Sequence, residues 1–517
     1  MSVDDVEKSV EDGQLTPTGE HGLEKNDGKP LKTASDGTIL VPQPSDDPEE
    51  PLNWSWRKKH MAMIVLAFGT FFVKFTATII APGAHQLAEE FGTSPRRATY
   101  IASAASVVPA VAPFLWVPLS NRLGRRPILL VGNLMAIAFA IVVARANVYG
   151  QALACRILMA FGASVGICIG PGAISDMFFL HEKGKRMGIN SFLLVCAPYL
   201  GGVAGGSIIY NNDLGWRWSM YISAILYAIL VVAHFFFVPE TLYHRSSFGA
   251  PKPPPPTTFV GKFCKFMGFH PPANPHNHTW LYTFTRPFAM FAYPAVVLPS
   301  LWFSIAGMTE VANTAGFPLN FGPGTRYNFN TREIGFCSFS GFIGAVAGEF
   351  FAGPLCDFVA KRGLRRQEAG GEKWRPEKML HVLWSGVITV SAGLLLYGLE
   401  LNYPSMGTRS WAPALAGILI FTFGQEILVT VIMTYMTDCY PQRAAEVSIV
   451  FQFWLNIMAY HPPFYVPQWI HSGGGAKVPY IVFAVLPIVI FPFGIGVFMW
   501  RGPQIRAKGR IVDWKKE

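Results

Sequence analysis

The sequence predicts an all-α integral membrane protein, twelve transmembrane helices arranged as two six-helix halves. Three observations lead there. The 517 residues are 51% hydrophobic and only 14% charged, whereas soluble domains carry about 25% charged residues. Tracts such as Met61 to Phe72, Ala412 to Phe423 and Ile481 to Trp500 are apolar on every face, and repeated tracts of that kind fit only lipid as solvent. Clusters of Lys and Arg alternate with loops nearly free of them, as in a chain oriented across a bilayer. Backbone groups in hydrocarbon must be satisfied within the segment, so the spans are expected to be helices.

Taken in order, residues 1–50 carry 13 acidic side chains, 4 Lys and no aromatics, the composition of a disordered, cytoplasmic segment. No cleavable signal peptide is visible, because the first apolar tract begins near His60 and is too long for one. Spans follow at roughly 60–82, 98–119, 127–144, 149–175, 188–210 and 217–238, the N-terminal half. Residues 239–287, with the run Pro251 to Pro256, read as a cytoplasmic linker. The C-terminal half has spans at roughly 288–313, 334–355, 379–400, 410–433, 446–468 and 478–500, followed by a basic tail, 501–517. With a cytoplasmic N-terminus, the inner loops hold Arg122, Arg125 and Arg126, then Lys183, Lys185 and Arg186, then the basic residues from Lys361 to Lys378. Outer loops hold only pairs or singles such as Arg96 with Arg97, and Lys477. The halves echo each other: Pro118-Leu119-Ser120-Asn121 recurs as Pro354-Leu355-Cys356-Asp357, in the same loop of each half.

Several function classes fall away. The net charge of +10 lies in short loops between apolar spans, so no nucleic-acid face is expected. The seven cysteines form no CxxC pair, which argues against a disulfide framework or a zinc site. No P-loop or HExxH is present, so neither an ATP-driven pump nor an enzyme is expected, and nothing calls for a cofactor or metal. Two six-span halves around a linker suit a parallel-repeat transporter.

Particular motifs sharpen this. Asn121-Arg122-Leu123-Gly124-Arg125-Arg126-Pro127 resembles the loop 2–3 signature of the major facilitator superfamily, with Asn121 where that signature usually has Asp. Arg156 with Gly162, Gly166, Gly170, Pro171 and Asp176 is similar to its span-four pattern, and Pro198-Tyr199-Leu200-Gly201-Gly202 to its span-five antiporter signature. Gly215-Trp216-Arg217-Trp218, Pro239-Glu240-Thr241 and Tyr435 to Pro441 look like the fungal drug and polyamine proton antiporter branch. The resemblance implies the major facilitator fold, a proton-coupling role for the buried Arg156, and gating roles for Asn121, Arg122, Gly124, Arg125, Arg126, Asp176, Pro198, Gly201, Gly202 and Asp357.

Ionisable groups inside spans cost at least ~2.5–3.5 kcal/mol each at the bilayer centre, so they need a reason to be there. Lys74 shares a stripe with Thr70 and Thr78; Glu426 shares one with Thr422 and Thr430; Ser448, Gln452, Asn456 and Tyr460 follow at steps of four; Ser300, Gly307, Glu310 and Asn313 share a face. Such stripes should line a water-filled cavity between the halves, where Glu310 or Glu426 alternately takes a proton or a cationic group while Arg156 or Lys74 biases it. Plainer readings stand beside these. Lys74 can snorkel outward, Glu310 can be a solvated rim residue, and Glu426 and Arg156 can be structural. The Gln452 stripe can serve as interhelical glue.

The expected function is proton-coupled export, by alternating access, of a small amphipathic or cationic compound such as a drug, toxin or secondary metabolite. Proton-coupled uptake of a nutrient or polyamine is the rival, and a non-transporting sensor on a transporter scaffold is the alternative of another class. The partners expected are the substrate, protons and the bilayer, with the chain a monomer. Its expected location is the plasma membrane, both termini cytoplasmic, with the vacuolar membrane as alternative.

Overall fold

The computed structural model describes residues 47–211, 213–243, 280–368, 375–403, 411–440, 443–470 and 475–508, with Lys32, Leu40, 43–45, Thr258, Gly261 and Gly268. Most of segment 1–50, most of linker 239–287 and the end of the tail, with the readings made on them, lie outside the described residues. Every regular element among the described residues is helical.

The first six membrane segments are α1 (Trp56–Thr78, running on through Ala81–Gly83 into Ala84–Glu90), α2 (Pro95–Val111 with Pro113–Leu123), α3 (Arg125–Ala144), α4 (Tyr149–Ala163 with Val165–Met177), α5 (Leu180–Tyr210) and α6 (Gly215–Phe237). A short helix, Trp280–Ala289, leads into α7 (Pro294–Phe321). Then come α8 (Thr331–Phe336 with Ser338–Glu368), α9 (Leu383–Asn402), α10 (Ala412–Cys439), α11 (Ala444–Tyr460 with Pro462–Trp469) and α12 (Lys477–Phe491, continued to Lys508). Ten of these segments are long and apolar enough to cross a bilayer, and α2 joins them as a pair bent by 50°. That bend falls at Ala112, where Pro113 supplies no N–H to the helix ladder. The twelfth is α11, whose first piece has only 17 residues and whose second piece extends it beyond His461.

Buried apolar side chains form two clusters, one within Trp54 to Val238 and one within Met290 to Phe498. Helix α5 stands between them, and its glycines explain how. A Cβ on Gly201 or Gly205 would collide with the α1 backbone at Phe75 and Ile79, while one on Gly202 or Gly206 would meet Ser338 and Gly335 of α8. Two small-residue faces thus let one helix approach both halves closely.

Several helices outrun the spans expected from hydropathy. Helical structure in α1 resumes to Glu90, α7 continues to Phe321, and α12 to Lys508. Hydropathy ends where lipid ends, but the hydrogen-bond ladder continues into water wherever the next residues tolerate helix. The longer segments move Lys74 and Glu310 inward, to the middle of α1 and α7.

Candidate functional site

Six helices, three from each cluster, surround a pocket. Its wall carries three ionisable groups, Lys74 of α1, Glu310 of α7 and Glu426 of α10. Gln452 and Leu455 come from α11, Ser103 and Ser106 from α2, and Pro198 from α5. Lys74 and Glu310 attract each other across the pocket. Glu310 is held further: its Oε2 accepts from Gln425 Nε2 at 2.7 Å and its Oε1 from the Tyr199 hydroxyl at 3.5 Å. Glu426 has none of this support. It is 7% exposed, its Oε2 is buried with no hydrogen-bond partner among the described residues, and its charged neighbours are two more carboxylates, Glu310 and Glu349.

The other candidates are placed differently. Asn456 is buried and donates to Gln452, to the carbonyl at 2.7 Å and to Oε1 at 3.0 Å, fixing the side chain that reaches the pocket. Tyr460 lies farther along α11, its ring against Phe464 at 4.9 Å. Arg156, expected to bias a pocket carboxylate, does not line the pocket. Its Nη2 donates to the carbonyls of Thr76 at 2.5 Å and Ala77 at 3.0 Å. Those carbonyls lie in the last turn of the Trp56–Thr78 helix, where the backbone ladder ends and the last carbonyls are left for other donors. A cation at a helix C-terminus is favourable on both counts, hydrogen bonding and dipole, so Arg156 braces the break in α1. Sequence reasoning passed over Tyr199 as a partner of Glu310, and Gln425 altogether. Gln425, an amide in an apolar span next to Glu426, was the available signal.

Around the loop signature, Gly124 has φ +101°, a conformation L side chains avoid. It lets the chain turn so that the N–H groups of Arg125 and Arg126 both donate to Glu240, each at 3.0 Å. The Pro239-Glu240-Thr241 motif therefore caps α3 from the end of α6. Arg125 pairs with Asp176 of α4 at 2.6 Å. Pro198 offers its carbonyl to Thr78 Oγ1 at 2.7 Å, and Asn121 and Asp357 are exposed.

The sequence profile of the Major Facilitator Superfamily matches residues 66–460. The chain belongs to the Major Facilitator Superfamily. Relatives include MFS transporter fsa7 of Fusarium sp., 28% identical over 86% of this chain and 87% of that protein. Efflux pump bik6 of Gibberella fujikuroi is 25% identical over 92% of this chain and 96% of its own. Among solved structures, a D-xylose-proton symporter superposes with TM-score 0.60 at 15% identity, covering 85% of this chain and 97% of that one. That likeness carries the fold alone. This superfamily member is thus a multi-pass membrane transporter with fungal efflux pumps among its relatives.

Both ends of the superfamily bundle are tied across the halves. At the end carrying Arg96, that guanidinium donates to the Phe464 carbonyl at 2.6 Å, Tyr100 packs on Phe464 at 4.5 Å, and His85 meets the Pro318 carbonyl at 3.1 Å. At the end carrying Arg122, its Nε donates to Thr283 Oγ1 at 3.2 Å and its guanidinium lies 4.7 Å over Trp280. Deeper on that side, Phe114 stacks on Phe288 at 4.5 Å and meets Phe453 at 5.9 Å.

Proposed function

We propose that this transporter exports a small amphipathic or cationic organic compound in exchange for protons, with Glu426 carrying the proton. One observation carries the proposal: Glu426 is buried on the pocket wall and its Oε2 has no hydrogen-bond partner among the described residues, while Glu310 is matched by Lys74, Gln425 and Tyr199. An ionised carboxylate in that position is costly unless a cation joins it. A proton or a cationic substrate group relieves the cost equally well, so the two compete for one site and entry of one drives release of the other. Phe303, Phe451 and Leu455 on the same wall offer an apolar surface to the rest of the substrate. Outward direction is supported by the efflux pumps among the relatives. In this reading the Arg122 end faces the cytoplasm, both termini lie there, the chain works as a monomer, and the membrane is the plasma membrane.

The test is flux in sealed proteoliposomes under an imposed pH gradient, with a panel of cationic and neutral drugs and polyamines. Accumulation against the direction of proton flow, lost in Glu426→Gln, is the expected result. Accumulation with the protons would make the protein an uptake system, and gradient-driven flux that survives Glu426→Gln would remove Glu426 from the coupling.

A further inference from the structure

Glu349 belongs to no part of the pocket wall described above, yet it is an acid in the middle of α8 with no hydrogen bond or ion pair to another described residue. Its position is set by two helix contacts. Along α5 and α8, which run antiparallel, Gly206 lies against Gly335, Gly202 against Ser338, Tyr199 against Gly341, and Phe192 against Phe350 at 5.9 Å. Glu349, next to Phe350, therefore lies about two helical turns beyond the Tyr199–Glu310 contact, toward the Arg122 end. Along α8 and α10, which run parallel, Gly344 lies against Thr422 and Gly348 against Phe423 and Glu426. A Cβ on Gly348 would stand 2.8 Å from Glu426 Cβ. The two helices thus touch where Glu426 and Glu349 are neighbours, and buried Cys196 of α5, one turn from Tyr199, senses both carboxylates.

Glu349 also has a way out. Ala345, Glu349, Ala352 and Cys356 share one face of α8 at steps of four, three and four. All but Glu349 are buried and small, and Glu349 is half-buried. Two turns on, Cys356 neighbours Asp357 of α8 and Asp438 of α10, both exposed. Acids therefore recur from the pocket toward the Arg122 end, and the α8 residues that share a face with Glu349 on that side, Ala352 and Cys356, are small.

We propose that Glu349 is a proton-relay residue connecting Glu426 to the Arg122 end of the bundle, apart from the route the substrate takes. The inference rests on the reading of Glu426 as the proton carrier. In the step, the Glu426 carboxyl gives its proton through a bridging water to the Glu349 carboxylate, which then gives it to water at the Arg122 end. One O–H bond breaks and one forms at each transfer, and the reverse order loads Glu426. The groups that face Glu426 during the step are Lys74 of α1, Cys196 and Tyr199 of α5, Glu310 of α7 and Glu349 of α8.

The experiment needs no transported compound. The full-length protein in lipid is moved into D2O, and infrared spectra follow the protonated-carboxyl band that disappears in Glu426→Gln. Exchange of that band is expected to slow by roughly 10²-fold in Glu349→Gln and to recover in Glu349→Asp. Ala352→Leu, which crowds that face of α8 and leaves both acids in place, is expected to slow it as well. Wild-type exchange rates in both Glu349→Gln and Ala352→Leu would overturn the relay while leaving Glu426 as the carrier. Absence from the wild type of any band that depends on Glu426 would overturn the carrier, and the relay with it.

Discussion

Lys74 and Glu310 come from α1 and α7, and each is the other's opposite charge in a setting where an isolated one costs at least ~2.5–3.5 kcal/mol. Lys74→Met leaves Glu310 with its Gln425 and Tyr199 bonds but no cation; Glu310→Gln leaves Lys74 with none of its compensation. Each single variant is expected to unfold at lower temperature in detergent, and the double variant to recover part of the loss, with a coupling energy of roughly 0.5–3 kcal/mol. Thermal unfolding of the four proteins measures it, and strictly additive losses would dissolve the pair. These residues were legible in the sequence because a charge in an apolar span stands out whatever surrounds it. Arg156 stood out for the same reason, yet its partners are backbone carbonyls freed by the break in α1. Charge marks a residue as costly to bury; the tertiary neighbours decide whether it is compensated by a ligand, a helix end or another side chain.

Small residues on α5 serve two helices at once, and the two faces predict different failures. Gly205 packs on Ile79 of α1 within one cluster, whereas Gly206 packs on Gly335 of α8 in the other. Both clashes involve backbone, so neither is relieved by a rotamer change, and overpacking of this kind costs about 1–3 kcal/mol. Gly205→Leu is expected to lower the yield of folded protein, because it separates helices that share a core. Gly206→Leu is expected to fold and to lose transport, because it wedges the Arg96 end open. Yield by size-exclusion chromatography and flux in vesicles separate the two, and equal loss of yield in both would show that the faces do not differ in role. The number and order of helices were legible, since hydropathy reports lipid directly. Their ends were not. The helix Trp280–Ala289 and the run past Trp500 to Lys508 depend on hydrogen bonding in segments whose composition reads as linker or tail, and the break at His461 falls inside the expected span 446–468, where Pro462 and Pro463 supply no N–H.

Across the whole bundle, the two ends are tied by different chemistry. The Arg96 end is held largely by polar groups on backbone carbonyls, Arg96 to Phe464 and His85 to Pro318. The Arg122 end combines the Arg122 bond to Thr283 with stacked rings, Phe114 on Phe288 and Phe291, and Phe453 across them. Alternating access requires that each set break while the other holds, so weakening one should shift the balance of states in a known direction. Phe114→Ala removes a ring in contact with three others, each pair contributing about 0.5–1.5 kcal/mol beyond its buried area. The population open at the Arg122 end is expected to rise on the order of tenfold. Ser106, on the pocket wall from α2, reports it when changed to Cys. In oriented vesicles, a membrane-impermeant thiol reagent on the Arg122 side should label Ser106→Cys faster when Phe114→Ala is added, above the background of the parent chain's own cysteines. From the Arg96 side the same double variant should label more slowly, because states closed at that end have become more populated. Faster labelling from both sides would mean that the rings merely hold the fold together, and faster labelling from the Arg96 side alone would reverse which end they close.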